Sequence, residues 1–280
     1  MIKSRQPNVS SEPLSLADLR FEIKNDTTYI NKDSEFIEGP HIHDCFEIYM
    51  NISGDVSFLI DNNLYPVKRG ELAFSKPNVF HHCVYNKSCT VEHFVLWIHA
   101  KEDSEIFHFT AKKNFSPLFS TDEQTKNMLI SLFYQLYAAY KSNAACAKLF
   151  QTAYLLQILS IINSGKNLFN IDETQLLPPD FNRLLTDIDK NFLNFHTAKD
   201  LAEHAFVSTA TLNRWFKNYL QLSPKRYLEA KKLSYAKKLI AQGQSITEAG
   251  LNAGFYDASH FIAIFKKNFG FTPFKYKKQR

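Results

Sequence analysis

His41, His43, Glu47 and His81 are the residues of this 280-residue chain whose types and spacing can build a small-molecule site. The stretch HIHDCFEIYMNISG (41–54) reads H-x-H-x3-E-x6-G, and GELAFSKPNVFH (70–81) sets His81 eleven residues after Gly70. On a strand His41 and His43 share a face, because side chains alternate. Three imidazoles and a carboxylate suit a divalent Zn, Mn, Fe or Ni ion. The same four groups can instead hydrogen-bond a polar effector without metal, or be structural histidines with no ligand role. The residues leave all three readings open. Adjacent His82, Cys45 and Cys83 can join such a site, although a buried, inert thiol is the commoner fate of a lone cysteine.

A second constellation lies in the last eighty residues. LAEHAFVSTATLNRWFKNYL (201–220) and ITEAGLNAGFYDASHFIAIFKKNF (246–269) read as two helix-turn-helix units. A shift of 49 residues aligns Phe216-Lys217 with Phe265-Lys266, Pro224 with Pro273 and Tyr227 with Tyr276. The second helix of such a unit fits the major groove and presents its N-terminal side chains to base edges. In the first unit those positions are Thr209, Ala210, Thr211, Asn213, Arg214 and Lys217. Arg214 can address guanine and Asn213 adenine, each contact discriminating by about 1–3 kcal/mol. Lys217 points toward phosphate, while Leu212, Trp215 and Phe216 belong to the core. In the second unit the groove face is Ala258, Ser259, Ile262 and Ala263, nearly devoid of hydrogen-bonding groups, followed by Lys266 and Lys267. The first unit is therefore expected to supply the base-specific hydrogen bonds. The second would anchor on phosphate through its lysines and sense thymine methyls or groove shape.

Charge separates the halves. Residues 1–180 hold 16 Lys and Arg against 21 Asp and Glu, and residues 181–280 hold 17 against 7, for +5 overall. A basic module beside an acidic one points to a polyanion partner for the basic part alone. The four cysteines form no CxxC pair, which fits a reducing compartment, and no run of about 18 apolar residues reads as a membrane span. A cytoplasmic protein with no membrane partner is expected.

The elements that must position these groups follow from local pattern. Residues 1–18 are polar, with two prolines, and read as a loose arm. FEIKNDTTYI, FEIYMNI, VSFLI, LYPV, LAFS and VEHFVLWIHA, within 19–110, are short strand candidates separated by turn residues. So many strands without a helix predict a sandwich or small barrel. Within 120–163 the period becomes helical: Met128, Leu129, Leu132, Phe133, Leu136, Tyr137 and Tyr140 form one stripe, and Leu149, Ala153, Leu156, Leu159 and Ile162 form another. These two helices are core, or in part a dimer seam. Residues 164–180, with Gly165 and Pro178-Pro179, read as a linker, and 181–280 as the second domain. There Thr197/Asp200 and Ser245/Glu248 have capping-box spacing. Ser208 and Asp257 are N-caps for the reading helices, and Ser223-Pro224 and Thr272-Pro273 place proline at a first helical position.

On the residues LAEHAFVS...LNRWFK...SPKRYL (201–228) and SITEAGLNAGFYDASHFIAIFKKNFGFTPFKY (245–276), the region 181–280 resembles the DNA-binding domain of the AraC/XylS family of bacterial transcription regulators. The resemblance implies two helix-turn-helix units held by a linking helix and reaching successive major grooves of double-stranded DNA. The motif at 41–54 and 70–81 resembles the two motifs of the cupin barrel, with Asn78 where a glycine is usual. The expected fold is thus α+β and multidomain: an N-terminal cupin-like β-barrel with a helical pair, then an all-α domain. Two departures stand out. Ala263 replaces a common arginine, and Phe206 occupies a turn position often held by glycine or a polar residue. If that turn requires positive φ, Phe206 is strained.

The resemblance implies a ligand-responsive regulator, usually an activator. A small polar metabolite, by default a carbohydrate, would be sensed in the barrel, with a homodimer and RNA polymerase as partners. No cofactor is required, and a divalent metal is compatible with the histidine–glutamate set. The competing classes are a metal-binding cupin enzyme or metal sensor, and a constitutive DNA binder without effector. No catalytic set accompanies the candidate ligands, so no enzyme is expected.

Overall fold

The computed structural model describes residues 19–31, 43, 45–60, 63–77, 79–100, 105–111, 115–164 and 177–278. The expected arm, His41, Asn78 and most of the expected linker lie outside the described residues.

Strands β1 (Arg20–Ile30), β2 (Phe46–Ser53), β3 (Val56–Ile60), β4 (Asn63–Val67), β5 (Leu72–Ser75), β6 (His81–Tyr85), β7 (Cys89–His99) and β8 (Leu118–Phe119) make two antiparallel sheets. The larger has the order β1-β7-β2-β5-β8 and the smaller β4-β3-β6. Period-2 alternation explains how they stack. In β2, Phe46, Ile48, Met50 and Ile52 join a core with the helices that follow the sheet, whereas Tyr49 joins Val56, Phe58 and Ile60 of the smaller sheet. β2 is buried on both faces from Phe46 to Ile52, and its inner face carries the buried polar Glu47 and Asn51 beside Tyr49.

Helices α1 (Glu123–Lys141) and α2 (Ala147–Asn163) cover the outer face of the larger sheet through Leu129, Leu132, Phe133, Leu136, Leu155, Ile158, Leu159 and Ile162. The α1 stripe is as expected except that Met128 is exposed. The α2 stripe is rotated from the expected one: Leu149 is exposed, Leu156 is only half-buried, and Leu155 and Ile158 are inside. That helix is apolar almost all round, so periodicity alone does not select its buried face.

The basic half is helical: α3 (Pro179–Asn191), α4 (Ala198–His204), α5 (Thr209–Trp215), α6 (Pro224–Ala241), α7 (Ile246–Asn252), α8 (Ala258–Phe269) and α9 (Pro273–Lys278). A π turn, Phe216–Leu220, prolongs α5. The capping residues behave as expected. Thr197 with Asp200 and Ser245 with Glu248 close capping boxes, and Ser208, Ser223 and Asp257 cap α5, α6 and α8. Helix α3 lays Phe181, Leu184, Leu185 and Ile188 over the core of the first helix-turn-helix unit.

That core does not stop at the helices. Leu59, Leu64, Phe80 and Val84, from the back of the smaller sheet and the turn before β6, are buried in the same cluster as Phe181, Phe216, Leu220 and Tyr227. The second unit has its own core of Leu233, Leu239, Ile240, Phe255, Phe261 and Phe265. The layers therefore run helical pair, larger sheet, smaller sheet, first helix-turn-helix unit.

Two strands were not foreseen. Strand β6 escapes sequence reading because His82 and Val84, the side chains on its outer face, are buried under the helical half, so the apolar–polar alternation of a half-exposed strand is missing. Strand β8 is a two-residue addition paired to β5, too short to carry a period.

Candidate functional site

Glu47 lies second in β2, directly opposite Ser75 of β5 and Trp97 of β7. This register sets its surroundings. The indole N–H of Trp97 donates to Glu47 Oε2 at 2.7 Å, and Ser75 Oγ lies 2.9 Å from His81 Nδ1. His43 precedes β2 instead of lying in a strand, so the expected strand alternation of His41 and His43 does not describe it. Its Nε2 is 2.8 Å from Glu47 Oε2, and His81 Nε2 comes from the facing sheet to 3.6 Å from Glu47 Oε1. The ligand atoms of His43, Glu47 and His81 all lie within 4.8 Å of one another. Three of the four expected residues are thus brought together. His82, expected as a possible addition, faces the other way, toward Leu220. Cys45 does reach the site, with its Sγ 3.3 Å from His43 Nδ1.

The tautomers follow from the partners. His43 Nδ1 is 2.9 Å from the Cys45 carbonyl, and His81 Nδ1 is 2.9 Å from the Val79 carbonyl. A carbonyl oxygen only accepts, so both Nδ1 atoms carry hydrogens. In a neutral ring each Nε2 is then an acceptor, and both face a carboxylate that is also an acceptor. The arrangement calls for a positive centre among the three: protons on the imidazoles, or a cation. Burial by itself would raise the Glu47 pKa, yet the charge and hydrogen bonds of His81 and His43 hold it well below the ordinary carboxylate value. Two imidazoles and one carboxylate, each imidazole with its far nitrogen pinned by an acceptor, match the first and second shells of a divalent transition-metal site. Sequence reading missed Trp97 and Ser75 as partners. Only the strand register, which places both opposite Glu47, identifies them.

The nucleic-acid face is built by the caps. Ser208 Oγ accepts from the Thr211 backbone N–H at 3.0 Å and Asp257 Oδ1 from His260 N–H at 2.7 Å, which starts each reading helix at a fixed residue. On α5, Thr209, Ala210, Asn213, Arg214 and Lys217 are exposed, while Thr211 is half-buried with its hydroxyl 3.0 Å from that of Ser208. On α8, Ser259, Ile262, Ala263, Lys266 and Lys267 are exposed and Ala258 is half-buried. Leu212 and Phe216 are buried as expected, and Trp215 packs at 5.7 Å on Phe181.

The turns of the two units match with a shift of 48. Phe206 has φ 54° and Gly254 has φ 81°. Val207 N–H bonds Ala202 O at 3.0 Å, as Phe255 N–H bonds Gly250 O at 3.1 Å. The anticipated positive φ at Phe206 is present. The ring avoids a clash by pointing outward, 95% exposed. Past the turn the shift becomes 49, because Tyr256 is one extra residue in the second unit.

Residues 28–159 match the family model of the AraC-like ligand binding domain, and residues 201–279 match that of a helix-turn-helix domain. The fold and site thus define a two-part protein: a ligand-binding module of facing sheets with a helical pair, joined to a double helix-turn-helix module. The chain belongs to the AraC/XylS family. The HTH-type transcriptional regulator ArgR of Pseudomonas aeruginosa is 35% identical over 85 residues, covering 30% of this chain and 26% of ArgR. The HTH-type transcriptional activator RhaS of Escherichia fergusonii is 29% identical over 100 residues, covering 35% of this chain and 36% of RhaS. These matches span about a third of the relatives' length. Among solved structures, a transcriptional regulator with an AraC-type DNA-binding domain from Chromobacterium violaceum is 29% identical over 36% of this chain and 91% of that one, with a TM-score of 0.34. Apo ToxT from Vibrio cholerae is 14% identical over 93% and 97%, with a TM-score of 0.39.

Proposed function

We propose that this protein is a ligand-responsive, sequence-specific DNA-binding transcription regulator, an activator, whose N-terminal module binds a small polar effector at His43, Glu47 and His81. The observation that carries the reading is one chain holding two capped, outward-facing reading helices and, between the sheets, a cluster that needs a positive centre. Double-stranded DNA is the partner of the helical half. Arg214 and Asn213 supply base-specific hydrogen bonds, Thr209, Ala210 and Thr211 line the same groove face, and Lys217 takes phosphate. Ala258, Ser259, Ile262 and Ala263 give the second unit a face fit for methyl groups and groove shape, with Lys266 and Lys267 on phosphate. A homodimer acting on RNA polymerase in the cytoplasm, without catalysis of its own, completes the reading. Among the described residues no helix is long and apolar enough to cross a membrane.

The converging Nε2 atoms favour a second reading, in which a divalent cation is the sensed species or the platform on which the effector binds. His43, Glu47 and His81 would hold it, and it would supply positive charge beside the Glu47 carboxylate in place of protons on the imidazoles. Trp97, in hydrogen-bond contact with Glu47, reports on either occupant. Zn(II), Mn(II), Fe(II) and Ni(II), then a panel of sugars and polar metabolites, are titrated against the full chain by thermal shift and Trp97 fluorescence, with Trp215→Phe isolating the signal. Binding is expected in the wild type and absent in Glu47→Gln. A full panel without response in the wild type would sink the effector site, and an unaltered response in Glu47→Gln would move it elsewhere.

A further inference from the structure

Strand β6 carries two sets of contacts on opposite faces. His81 turns inward to Glu47, and its neighbour His82 turns outward, where its Nε2–H donates to the Leu220 carbonyl at 3.0 Å. Val84, also outward, is buried in the helical core. At the strand's end, Tyr85 gives its backbone N–H to Gln221 Oε1 at 3.0 Å, and its carbonyl accepts from Gln221 Nε2. Among the described residues β6 stands at an edge of the smaller sheet, ordered β4-β3-β6. A primary amide has one donor side and one acceptor side, as a peptide group does, so the Gln221 carboxamide pairs with the Tyr85 backbone as a short strand would.

Gln221 sits directly after the π turn that ends the first reading helix, and it is left-handed, with φ 55°. The equivalent residue of the second unit, 49 positions on, is Gly270 with φ 74°, a residue at no steric cost there. Both cap the helix in the same way: Gln221 N–H bonds Lys217 O at 3.2 Å and Gly270 N–H bonds Lys266 O at 2.9 Å. The first unit therefore accepts a left-handed side chain where glycine would serve. The side chain it keeps is the one that holds β6. Phe80, just before β6, adds a ring contact at 5.2 Å with Tyr227 and a cation–π contact at 4.0 Å with Lys231, both on α6.

We propose that β6 is a transmission strand: Gln221, with His82, clasps the end of the first reading helix to β6, so that a change at His81–Glu47 re-aims the first unit and leaves the second to follow through α6. The reading helix face from Thr209 to Lys217 stays open in this arrangement, so the clasp sets where that helix points without covering it. This inference rests on the effector site proposed above. It adds the route out of that site.

Hydrogen exchange on the full chain tests it, with Gln221→Gly and Gln221→Glu compared with wild type. Glycine suits the left-handed backbone, so the first variant keeps the fold. The second keeps the size but sets a carboxylate against the Tyr85 carbonyl. Both should speed exchange of the Tyr85 amide and of residues 216–222 by about tenfold or more, with α7 and α8 unaffected. Unchanged exchange at both places in both variants would overturn the clasp, whatever the sensor site does. Transmission is then read by adding Glu47→Gln. It should alter exchange at 216–222 in the wild-type background and have no effect there in Gln221→Gly. A change confined to residues 43–81 would overturn the transmission. Binding of all these proteins to a duplex selected from a random pool with wild-type protein is followed in parallel. If the wild type selects no sequence, the regulator reading fails while the exchange result on the clasp still stands.

Discussion

The two helix-turn-helix units share their architecture and differ in nearly every residue that faces outward. Each has a capping box, a positive-φ turn, a twelve-residue reading segment and a proline-started helix behind it. The first has Asn213 and Arg214 where the second has Ile262 and Ala263, Phe206 where the second has Gly254, and Gln221 where the second has Gly270. Its core runs into the back of the smaller sheet, whereas the second unit's core is its own. On the proposed reading the duplicated frame serves two tasks. The first unit, proposed to read bases, shares its core with the smaller sheet, and the second unit, with the glycines at its turn and helix end, keeps a separate core.

The largest effect expected from this contrast is on packing. A Cβ at Gly250 would come within 2.7 Å of Phe261 Cδ1, and that ring is fully buried. Gly250→Val should cost about 1–3 kcal/mol of second-unit stability, as overpacking of a tight core does. Thermal unfolding with hydrogen exchange on α7 and α8 checks this, and α4 and α5 should keep wild-type protection if the cores are independent.

On selected DNA, Arg214→Ala should lose about 1–3 kcal/mol of base discrimination, roughly 5- to 150-fold. Lys266→Ala should weaken all sequences alike and reduce the salt slope by about one. Competition binding at several salt concentrations separates the two, and equal loss of discrimination from both would end the division of labour.

A smaller effect concerns the turns. Phe206→Gly removes a left-handed cost of about 1–2 kcal/mol against an entropic cost of about 0.5–1 kcal/mol, so a net gain of up to about 1.5 kcal/mol is expected. Gly254→Ala, where a Cβ would meet only ordinary contacts at 3.4 Å, should lose about 1 kcal/mol. Denaturant midpoints of the two variants should move in opposite directions.

The smallest effect should be common to both units. Hydrogen bonds from the Thr197 side chain and from the His196 and Thr197 backbone hold the Asp200 pKa down, and the Ser245 side chain and backbone do the same for Glu248. A lowered folded-state pKa means the contribution is present above the unfolded value, near pH 4, and is lost as pH falls through the folded value. Stability measured between pH 5 and pH 2 should fall in Thr197→Val and Ser245→Ala less steeply than in the wild type.

Sequence reading went furthest where local chemistry decides. The caps at Ser208 and Asp257 and the positive φ at Phe206 are each set within a few residues, and all were legible. The set of His41, His43, Glu47 and His81 was legible as a motif, and the structure brings His43, Glu47 and His81 of it together, but their partners were not legible. Trp97 and Ser75 meet Glu47 through strand register, fifty and twenty-eight residues away in the chain. Strand β6 was hidden for a related reason, since its outward face is buried by a module that begins about a hundred residues later.

By itself, then, the sequence determined the two duplicated units, their caps and the poverty of hydrogen-bonding groups on the second unit's outer face. Each rests on spacings of three, four or forty-nine residues that need no knowledge of the fold. Tertiary structure alone decided that both Nδ1 atoms meet backbone carbonyls and both Nε2 atoms face Glu47. It also decided that Gln221 meets Tyr85 across 136 residues, because a side-chain amide can pair with a strand's backbone only where the assembled sheets and helices bring the two together.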